Sequence, residues 1–154
     1  MFTYQIDEEL KLLLPQPQHA EELLILVRGN LDILKPWMPW ATDNYSLENS
    51  RFFIRENLLR FADNGSFDSV ILYENKKIGT IGFHNLDLIN RSAHVGYWLT
   101  KDLHGRGIMT RCAKALTDYL FNDFELNRIQ INCNTENVKS RAIPERLGYK
   151  LEGI

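Results

Sequence analysis

The chain has few of the features that mark membrane, disulfide-bonded or metal-binding proteins. Its 154 residues include only two cysteines. Cys112 and Cys133 form neither a CxxC pair nor a His/Cys spacing typical of a metal site, so we expect reduced thiols and no metal. No apolar run reaches about 18 residues, which argues against a membrane-spanning helix. The N-terminus lacks the basic start and apolar segment of a signal peptide. We therefore expect a cytoplasmic protein that binds no membrane.

The chain also lacks an excess of positive or negative charge. The chain carries 18 Lys and Arg against 20 Asp and Glu, a formal net charge of −2, and no run of five like charges occurs. Direct binding to nucleic acid is not expected, because it needs a basic field. Apolar residues make up 44% of the chain and charged residues 25%. This balance and length are typical of one globular domain, which we expect to span residues 1–154.

The hydrophobic pattern predicts a mixed α/β protein. A short strand in ELKLLLPQP precedes helices at 18–30 and 46–65, and the second of these begins with an approximate capping box. A β-hairpin at 69–86 and a strand at 92–100 follow as a meander. An amphipathic helix from Gly107 then leads to an alternating strand. The stretch from Ala93 to Cys133 is thus a β-α-β unit with parallel strands and a right-handed crossover.

The C-terminal part of the chain is predicted to add a helix and a strand. NVKSRAIPERLGY reads as a helix interrupted by Pro144 and stopped at Gly148, and YKLEGI reads as the beginning of a further strand.

The segment LHGRGIMT, residues 103–110, raises the question of an anion site. Glycine permits a left-handed backbone, and a helix that begins there presents unpaired N–H groups to a phosphate. Arg106 and Arg111 can add positive charge. The alternative is a tight strand-to-helix turn with no ligand. No Walker A lysine follows, and Thr110 stands where a dinucleotide fingerprint has its third glycine, so a pyrophosphate is plausible but NAD is not.

Four stretches together resemble one known family. SAHVGYWLTKDLHGRGIMT with its following helix resembles the acetyl-CoA-binding core of the GCN5-related N-acetyltransferases (GNAT). The family pattern Gln/Arg-x-x-Gly-x-Gly/Ala falls on residues 104–109, where Gly107 matches while His104 and Met109 depart. LKPWMPW, FHNLDLINRSAHVGYWL and NVKSRAIPERLGYKLEG resemble the RimJ/RimL branch, and most closely its ribosomal-protein-serine acetyltransferase-like members.

The resemblance implies the GNAT fold, a strongly bent mixed sheet flanked by helices. Strands 93–99 and 128–133 are expected to splay apart and admit the pantetheine arm of the cofactor. The family continues with two more strands, so we expect the final strands to be missing here. That would leave an exposed sheet edge, which a second copy can cover in a homo-oligomer.

The resemblance also implies a reaction, the direct attack of a primary amine on acetyl-CoA. The first acceptor is the N-terminal α-amine of a protein, a ribosomal protein included. An α-amine with a pKa near 7.8 is about a third neutral near pH 7.4, whereas a lysine amine near 10.4 is almost wholly charged. The alternatives are a small-molecule amine or antibiotic acetyltransferase and a non-catalytic acyl-CoA-binding domain.

Cofactor-binding residues follow from the resemblance. Backbone groups at the end of the third meander strand would pair with pantetheine, and the side-chain amide of an Asn-x-x-Ser segment in NVKSRAIPERLGY would bond the amide region of pantetheine. The glycine loop would hold the pyrophosphate. The strand residues are Tyr97, Trp98 and Leu99, and the side-chain amide is that of Asn137. The loop residues are His104, Gly105, Arg106, Gly107, Ile108, Met109 and Thr110.

Catalytic and acceptor-binding residues are the remaining expectations. Ser140 would protonate the departing sulfur, although Asn137 and Ser140 also suit a helix N-cap. His94 would accept a proton from the amine, although a lone strand histidine is often structural. Weaker candidates for that base are His84, Glu74 and Glu136. Trp37, Trp40 and Tyr45 would line the acceptor side, or else cap the core as an aromatic cluster. Cys112 and Cys133 are predicted to pack as small hydrophobes rather than act as nucleophiles.

Overall fold

The structure, a computed structural model, describes residues 1–154 and contains one six-stranded sheet. Its strands are adjacent in chain order, and every neighbouring pair is antiparallel except the last, which is parallel. The mixed α/β class and the parallel β-α-β unit are therefore confirmed. The strands are β1 (Thr3–Gln5), β2 (Leu10–Leu13), β3 (Asp68–Tyr73), β4 (Lys76–Asp87), β5 (Ser92–Leu99) and β6 (Arg128–Ile131).

Five helices flank the sheet: α1 (Ala20–Arg28), α2 (Leu31–Leu34), α3 (Leu47–Asn64), α4 (Ile108–Asn122) and α5 (Val138–Arg146). The predicted capping box of α3 is present, because the side chain of Asn49 accepts the N–H of Ser46 at 2.8 Å. Gly65 ends that helix in the left-handed conformation, with φ of 86°. None of the helices combines the length and apolarity that crossing a lipid bilayer requires.

Hydrophobic side chains form a core on each face of the sheet. The larger cluster joins the strands to α4 and to Ile143 of α5, and the second joins α1, α2 and α3 to Trp98. Strand β5 contributes to both, since Val95 and Leu99 enter the larger cluster while Trp98 enters the second. The two faces of β5 are thereby assigned to different helical layers.

The parallel pairing of β6 covers only the first half of β5. Their pairing ends at Val95 opposite Ile131. The pairing of β5 with β4 on its other side continues to Leu99 opposite Gly79. Strand β6 is paired along its whole length and ends at Ile131, so the predicted splay of residues 93–99 and 128–133 stays a prediction. The stretch from Gly96 to Leu99 has an edge that no strand pairs, and Tyr97 on this stretch contacts Ser140 of α5.

Several predicted elements differ from the structure. The N-terminal strand β1 was not predicted, because its three exposed residues carry no alternation. YKLEGI forms no strand, although the carboxylate of Glu152 in this segment pairs with Arg128 of β6. Helix α5 passes through Pro144 instead of breaking there. Cys133 is exposed rather than packed, because β6 ends two residues earlier, whereas the predicted burial of Cys112 is confirmed.

Candidate active site

The glycine loop presents free backbone donors at the start of α4. Gly105 and Gly107 have φ of 80° and 73°, which residues with a side chain rarely adopt, and an added Cβ would meet open space at both positions. Arg111 donates the first helical hydrogen bond, to the carbonyl of Gly107 at 3.1 Å. The N–H groups of residues 108–110 therefore have no helical acceptor. This geometry fits an anion, and the pyrophosphate assignment stays a prediction.

His104 links the loop to the open edge of β5. Its Nε2 lies 2.7 Å from the carbonyl oxygen of Leu99, and its Nδ1 lies 3.4 Å from the Nζ of Lys139. A carbonyl oxygen can only accept, so Nε2 carries the proton and Nδ1 presents its lone pair to the ammonium group. His104 and Lys139 thus bring the beginning of α5 against the glycine loop.

Buried Asn30 fixes the beginning of the same loop. Its Oδ1 accepts the hydroxyl of Thr100 at 3.1 Å and the N–H of Lys101 at 3.0 Å. Its Nδ2 donates to the carbonyl of Leu26 at 2.9 Å. The amide therefore ties the end of α1 to the point where the chain leaves β5 and turns into the loop.

Positive charge reaches the loop from a different residue than expected. Arg111 turns away from it and pairs with Asp7 and Glu9 beside β2, at 3.1 Å to each carboxylate. Arg106 is exposed at the tip of the loop and makes no ion pair. Arg146 of α5 takes the place that was expected for Arg111, with Nη1 3.4 Å from the hydroxyl of Thr110.

The unpaired edge of β5 presents backbone groups of alternate residues. The N–H of Thr100 donates to Ile78 on the β4 side at 2.7 Å. Since successive residues point their backbone groups to opposite edges, those of Leu99 and Tyr97 point to the open side. The contact of His104 with the Leu99 carbonyl agrees with this direction. The gap therefore offers N–H and C=O groups that an extended, amide-containing ligand can pair with.

The backbone carbonyl of Ser140 contacts the unpaired part of β5 because of a proline one turn further along α5. Pro144 has no N–H, so it cannot bond the carbonyl of Ser140. That carbonyl instead accepts the hydroxyl of Tyr97 at 3.0 Å. Burial raises the pKa of Tyr97, which keeps this hydroxyl a donor. The Ser140 hydroxyl itself has no partner within the protein and is half-buried.

Asn137 is the N-cap of α5. Its Oδ1 accepts the N–H of Ser140 at 3.3 Å, as the capping alternative predicts. Its Nδ2 makes no hydrogen bond within the protein and stays available to a ligand. A role for Asn137 in holding pantetheine is compatible with this geometry and stays a prediction.

The two cysteines have different surroundings. Burial raises the pKa of the Cys112 thiol to about 12, so it is inert. Cys133 is exposed two residues beyond Ile131, the last residue of β6, and Tyr97 lies two residues beyond Val95, the β5 partner of Ile131. Partial burial raises the pKa of Cys133, opposed by Arg141. Cys133 therefore lies beside the gap that holds Ser140 and Tyr97.

His84 and His94 are directly opposite each other on β4 and β5, with ring centroids 5.8 Å apart. Both lie on the face that carries Trp98. The other two candidates for a base lie elsewhere, Glu74 in the turn between β3 and β4 and Glu136 in the exposed loop before α5.

The aromatic residues predicted for the acceptor side form a cluster in part. Trp40 lies 5.8 Å from Tyr45 and 6.5 Å from Trp98, measured between ring centroids. Tyr45 is buried under Trp40, with its hydroxyl 3.1 Å from that of Ser50. Trp37 makes no aromatic contact. Trp40 is 45% exposed, so it offers the accessible face of the cluster.

Sequence reasoning missed Asn30, Lys139 and Arg146. Each acts through a contact between residues more than thirty positions apart, and nothing in the local sequence signals it. No three His, Cys, Asp or Glu side chains lie close enough together to hold a metal ion.

Comparisons with known proteins agree on one family. Residues 9–150 match the acetyltransferase (GNAT) domain. YdaF of Bacillus subtilis (strain 168), whose name provisionally assigns it as a ribosomal N-acetyltransferase, is 38% identical over 99% of this chain and 84% of its own length. The ribosomal-protein-serine acetyltransferase of Escherichia coli (strain K12) is 28% identical over 98% of this chain and 84% of its own length.

A solved structure extends the likeness to a cofactor complex. RimL, a ribosomal L7/L12 alpha-N-protein acetyltransferase in complex with coenzyme A, superposes with a TM-score of 0.93 at 27% identity. The superposition covers 99% of this chain and 86% of RimL. In that structure the coenzyme forms a disulfide with a cysteine of RimL.

Proposed function

The chain belongs to the GNAT acetyltransferase family, and we propose that its acceptor is the N-terminal α-amine of a protein, a ribosomal protein included. It is an acetyl-CoA-dependent N-acetyltransferase. The observation that carries the proposal is the unpaired edge of β5, which lies between a phosphate-sized glycine loop and Ser140. The names of YdaF and RimL support a ribosomal protein as the acceptor.

The residues present fit the two polar parts of coenzyme A. The N–H groups of 108–110 and the charge of Arg106 and Arg146 suit the pyrophosphate. The backbone groups of Tyr97 and Leu99 suit the amides of the pantetheine arm, which would lie along the gap as a strand does. Asn137 can add its free Nδ2. Acetyl-CoA supplies the acetyl group as an activated thioester.

Transfer then needs an acceptor for one proton and a donor for another. As the amine nitrogen bonds the acetyl carbon and the carbon–sulfur bond breaks, the nitrogen loses a proton and the sulfur gains one. Ser140 is in position to give its hydroxyl proton to the sulfur and recover one from water. An α-amine is about a third neutral near pH 7.4, so it arrives ready to attack.

The acceptor approaches from the face of the sheet that carries Trp98. The exposed face of Trp40, which packs against buried Trp98, flanks that approach, and an aromatic face attracts a cationic or peptide group. Tyr45 supports Trp40 from beneath rather than touching the acceptor, and we assign Trp37 no contact in the cluster.

A substitution in the loop tests the cofactor site. Gly107→Glu places a carboxylate where the phosphates are expected, so coenzyme A binding measured by calorimetry should be lost. Gly107→Gln carries a similar bulk without the charge and should retain more affinity. Gly148→Glu is the control for strain, because Gly148 also has a left-handed φ, 81°, and open space around its Cα. Equal affinity in Gly107→Glu and wild type would contradict the proposed site.

The acceptor is tested by coenzyme A release with a Ser-initiated peptide, the same peptide blocked at its N-terminus, and a primary alkylamine. We expect release only with the free peptide. Release with the alkylamine alone would assign the chain to small-amine acetylation. Tight coenzyme binding without release under any amine would indicate a binding domain.

Cys133 provides an independent measure of where the coenzyme thiol lies. In RimL the coenzyme is bonded to a cysteine through a disulfide, and here Cys133 is exposed two residues beyond the last β6 residue that pairs with β5. Incubation with oxidised coenzyme A should therefore add one coenzyme by mass spectrometry in wild type and in Cys112→Ser, but none in Cys133→Ser. If the Gly107→Glu variant gains the coenzyme at Cys133 as fast as wild type does, the loop does not guide the coenzyme to that position.

A further inference from the structure

The two opposed histidines differ in what surrounds their ring nitrogens. The Nδ1 of His94 lies 3.0 Å from the amide nitrogen of Asn132. Arg128 can only donate, so the oxygen of Gln130 faces it and the amide nitrogen of Gln130 points at the Nε2 of His94, 2.6 Å away. Both nitrogens of His94 therefore lie within hydrogen-bond distance of an amide next to β6. A neutral imidazole accepts at one nitrogen and donates from the other, so Gln130 donates to Nε2 and the Nδ1–H of His94 faces the amide of Asn132, whose oxygen is the group that can accept it.

His84 has no hydrogen-bond partner within the protein, and its ring is exposed. Its Cε1 lies 3.6 Å from the position that a Cβ on Gly96 would occupy, so the imidazole lies directly over Gly96. Gly96 is the first residue of β5 beyond the last pair with β6. A free imidazole is thus held at the point where the sheet opens, on the face from which the acceptor approaches.

Glycine at both central positions creates the space for this ring. Gly82 is directly opposite Gly96 on β4. A Cβ at Gly82 would collide with Asp68, whose carboxylate occupies the face above it. Arg60 of α3 holds that carboxylate at 3.0 Å. Asp68 and His84 therefore lie over the two glycines, which have no side chains of their own to occupy this face of the sheet.

The charges around His84 keep its imidazole largely neutral near pH 7. Desolvation lowers the pKa of His84, Asp68 of β3 opposes this, and His94 of β5 and Arg60 of α3 lower it further. A neutral imidazole with an accessible nitrogen is the form that accepts a proton. The Coulombic influence of Asp68 then favours the imidazolium that results.

We propose that His84, rather than His94, is the catalytic residue that takes the proton from the acceptor nitrogen as it bonds the acetyl carbon. This rests on the proposed function for the position of the acetyl group. The nitrogen of the neutral amine becomes cationic on attack, its proton passes to a ring nitrogen of His84, and the imidazolium returns it to water after the product leaves. The proton for the sulfur comes from Ser140, so the two transfers occur on opposite sides of β5.

Proton NMR of the histidine rings tests the location without turnover. The chain has four histidines, so His→Gln variants assign each Cε1 proton. Adding acetyl-CoA should shift His104, at the loop, and His84, at the gap, while His19 stays in place. A shift of His104 without His84 would overturn the inference and leave the proposed cofactor site intact. Shifts of neither would contradict both.

The pH dependence of kcat/KM tests the chemistry, using whichever amine the wild type acetylates. Below the pKa of His84 both His84 and the amine must lose a proton, so wild-type kcat/KM should fall about 100-fold per pH unit. His84→Gln should fall only about 10-fold per unit and be about 100-fold slower at pH 8, with coenzyme A affinity unchanged. Added imidazole should restore part of the activity of His84→Ala.

His94→Gln is the matched control and should keep both the wild-type slope and most of the rate. A wild-type slope in His84→Gln would refute the inference. Loss of the slope in His94→Gln alone would refute it equally and assign the base to His94.

Discussion

Ser140 illustrates how a single side chain is placed by groups other than its own. The Asn137 cap holds its N–H, Tyr97 holds its carbonyl, and the hydroxyl is left free at the gap. Neither holding contact involves the hydroxyl, so its removal should leave the local structure unchanged. Ser140 therefore offers a clean test of acid catalysis.

Ser140→Ala should lower kcat about 100-fold without changing the affinity for coenzyme A, because only the proton donor is lost. Steady-state kinetics with acetyl-CoA and the preferred amine measures kcat, and calorimetry measures the affinity. Ser92→Ala, also half-buried on β5, is the control and should behave as wild type. An unchanged kcat in Ser140→Ala would assign the proton donation to water.

Residue roles were predictable where a local conformation demands them. Gly105 and Gly107 could be identified because a left-handed backbone strongly favours glycine. That Arg146 rather than Arg111 lies at the loop could not be predicted from the sequence. Only the packing of α4 brings Arg111 close to the carboxylates that it pairs with. Burial of Tyr45 depends on tertiary packing in the same way.

Among the elements, α5 is unusual in retaining a proline within it. The missing N–H of Pro144 releases the carbonyl of Ser140 to Tyr97. Pro144→Ala restores an N–H that competes for this carbonyl, so the contribution of the Tyr97 hydroxyl to stability should shrink. The helix and strand β5 are thereby coupled through one carbonyl group.

A double-mutant cycle of Tyr97→Phe and Pro144→Ala measures this coupling. Tyr97→Phe alone should lower the free energy of unfolding by about 1 kcal/mol, and by clearly less in the Pro144→Ala background. Urea denaturation supplies the free energies. Equal losses in the two backgrounds would show that Tyr97 does not depend on the freed carbonyl.

Elements with a strong period were predicted correctly, whereas a strand without alternation and strand ends set by pairing were not. The capping box and Gly65 fix both ends of α3, and the apolar stripe fixes α4. Strand β1 exists because it pairs with β2, and β6 ends at Ile131, where its pairing with β5 also ends. Both facts depend on a neighbouring strand, which a pattern within one segment does not report.

Across the whole molecule, Arg111 connects the N-terminal hairpin to α4. Partial burial alone would raise the pKa of Asp7, but hydrogen bonds from Arg111 and from the N–H groups of Glu9 and Leu10 hold the pKa below its usual value. A carboxyl whose pKa is lower in the folded state stabilises the fold above the unfolded pKa, and this contribution is lost as the pH falls through the folded pKa.

Arg111→Gln should therefore lower the free energy of unfolding by about 0.5–1 kcal/mol at pH 7, since the pair is partly exposed. The difference from wild type should shrink below about pH 4, as Asp7 becomes protonated in both proteins. Urea denaturation across this range measures it. Lys114→Gln removes the same charge from the same helix, where Lys114 pairs with Asp118 at 2.7 Å, and should show a smaller effect.

The order of the strands in the sheet could be predicted from the sequence because it is the same as their order in the chain. Six strands lie side by side in the order of the sequence, so each predicted neighbour is a true neighbour. That β5 is only partly paired with β6 was predicted from the family resemblance alone, because no residue in either strand marks where the pairing ends.

Because part of β5 has no neighbouring strand on one side, a coenzyme bound along it becomes a component of the folded state. Whatever pairs with Tyr97 and Leu99 stabilises the native form by mass action, by about 2.7 kcal/mol when it is present at 100 times its Kd. We therefore expect resistance to heat and to proteases to rise and fall with the supply of acetyl-CoA. Metabolic depletion of that pool would shorten the lifetime of the enzyme as well as idle it.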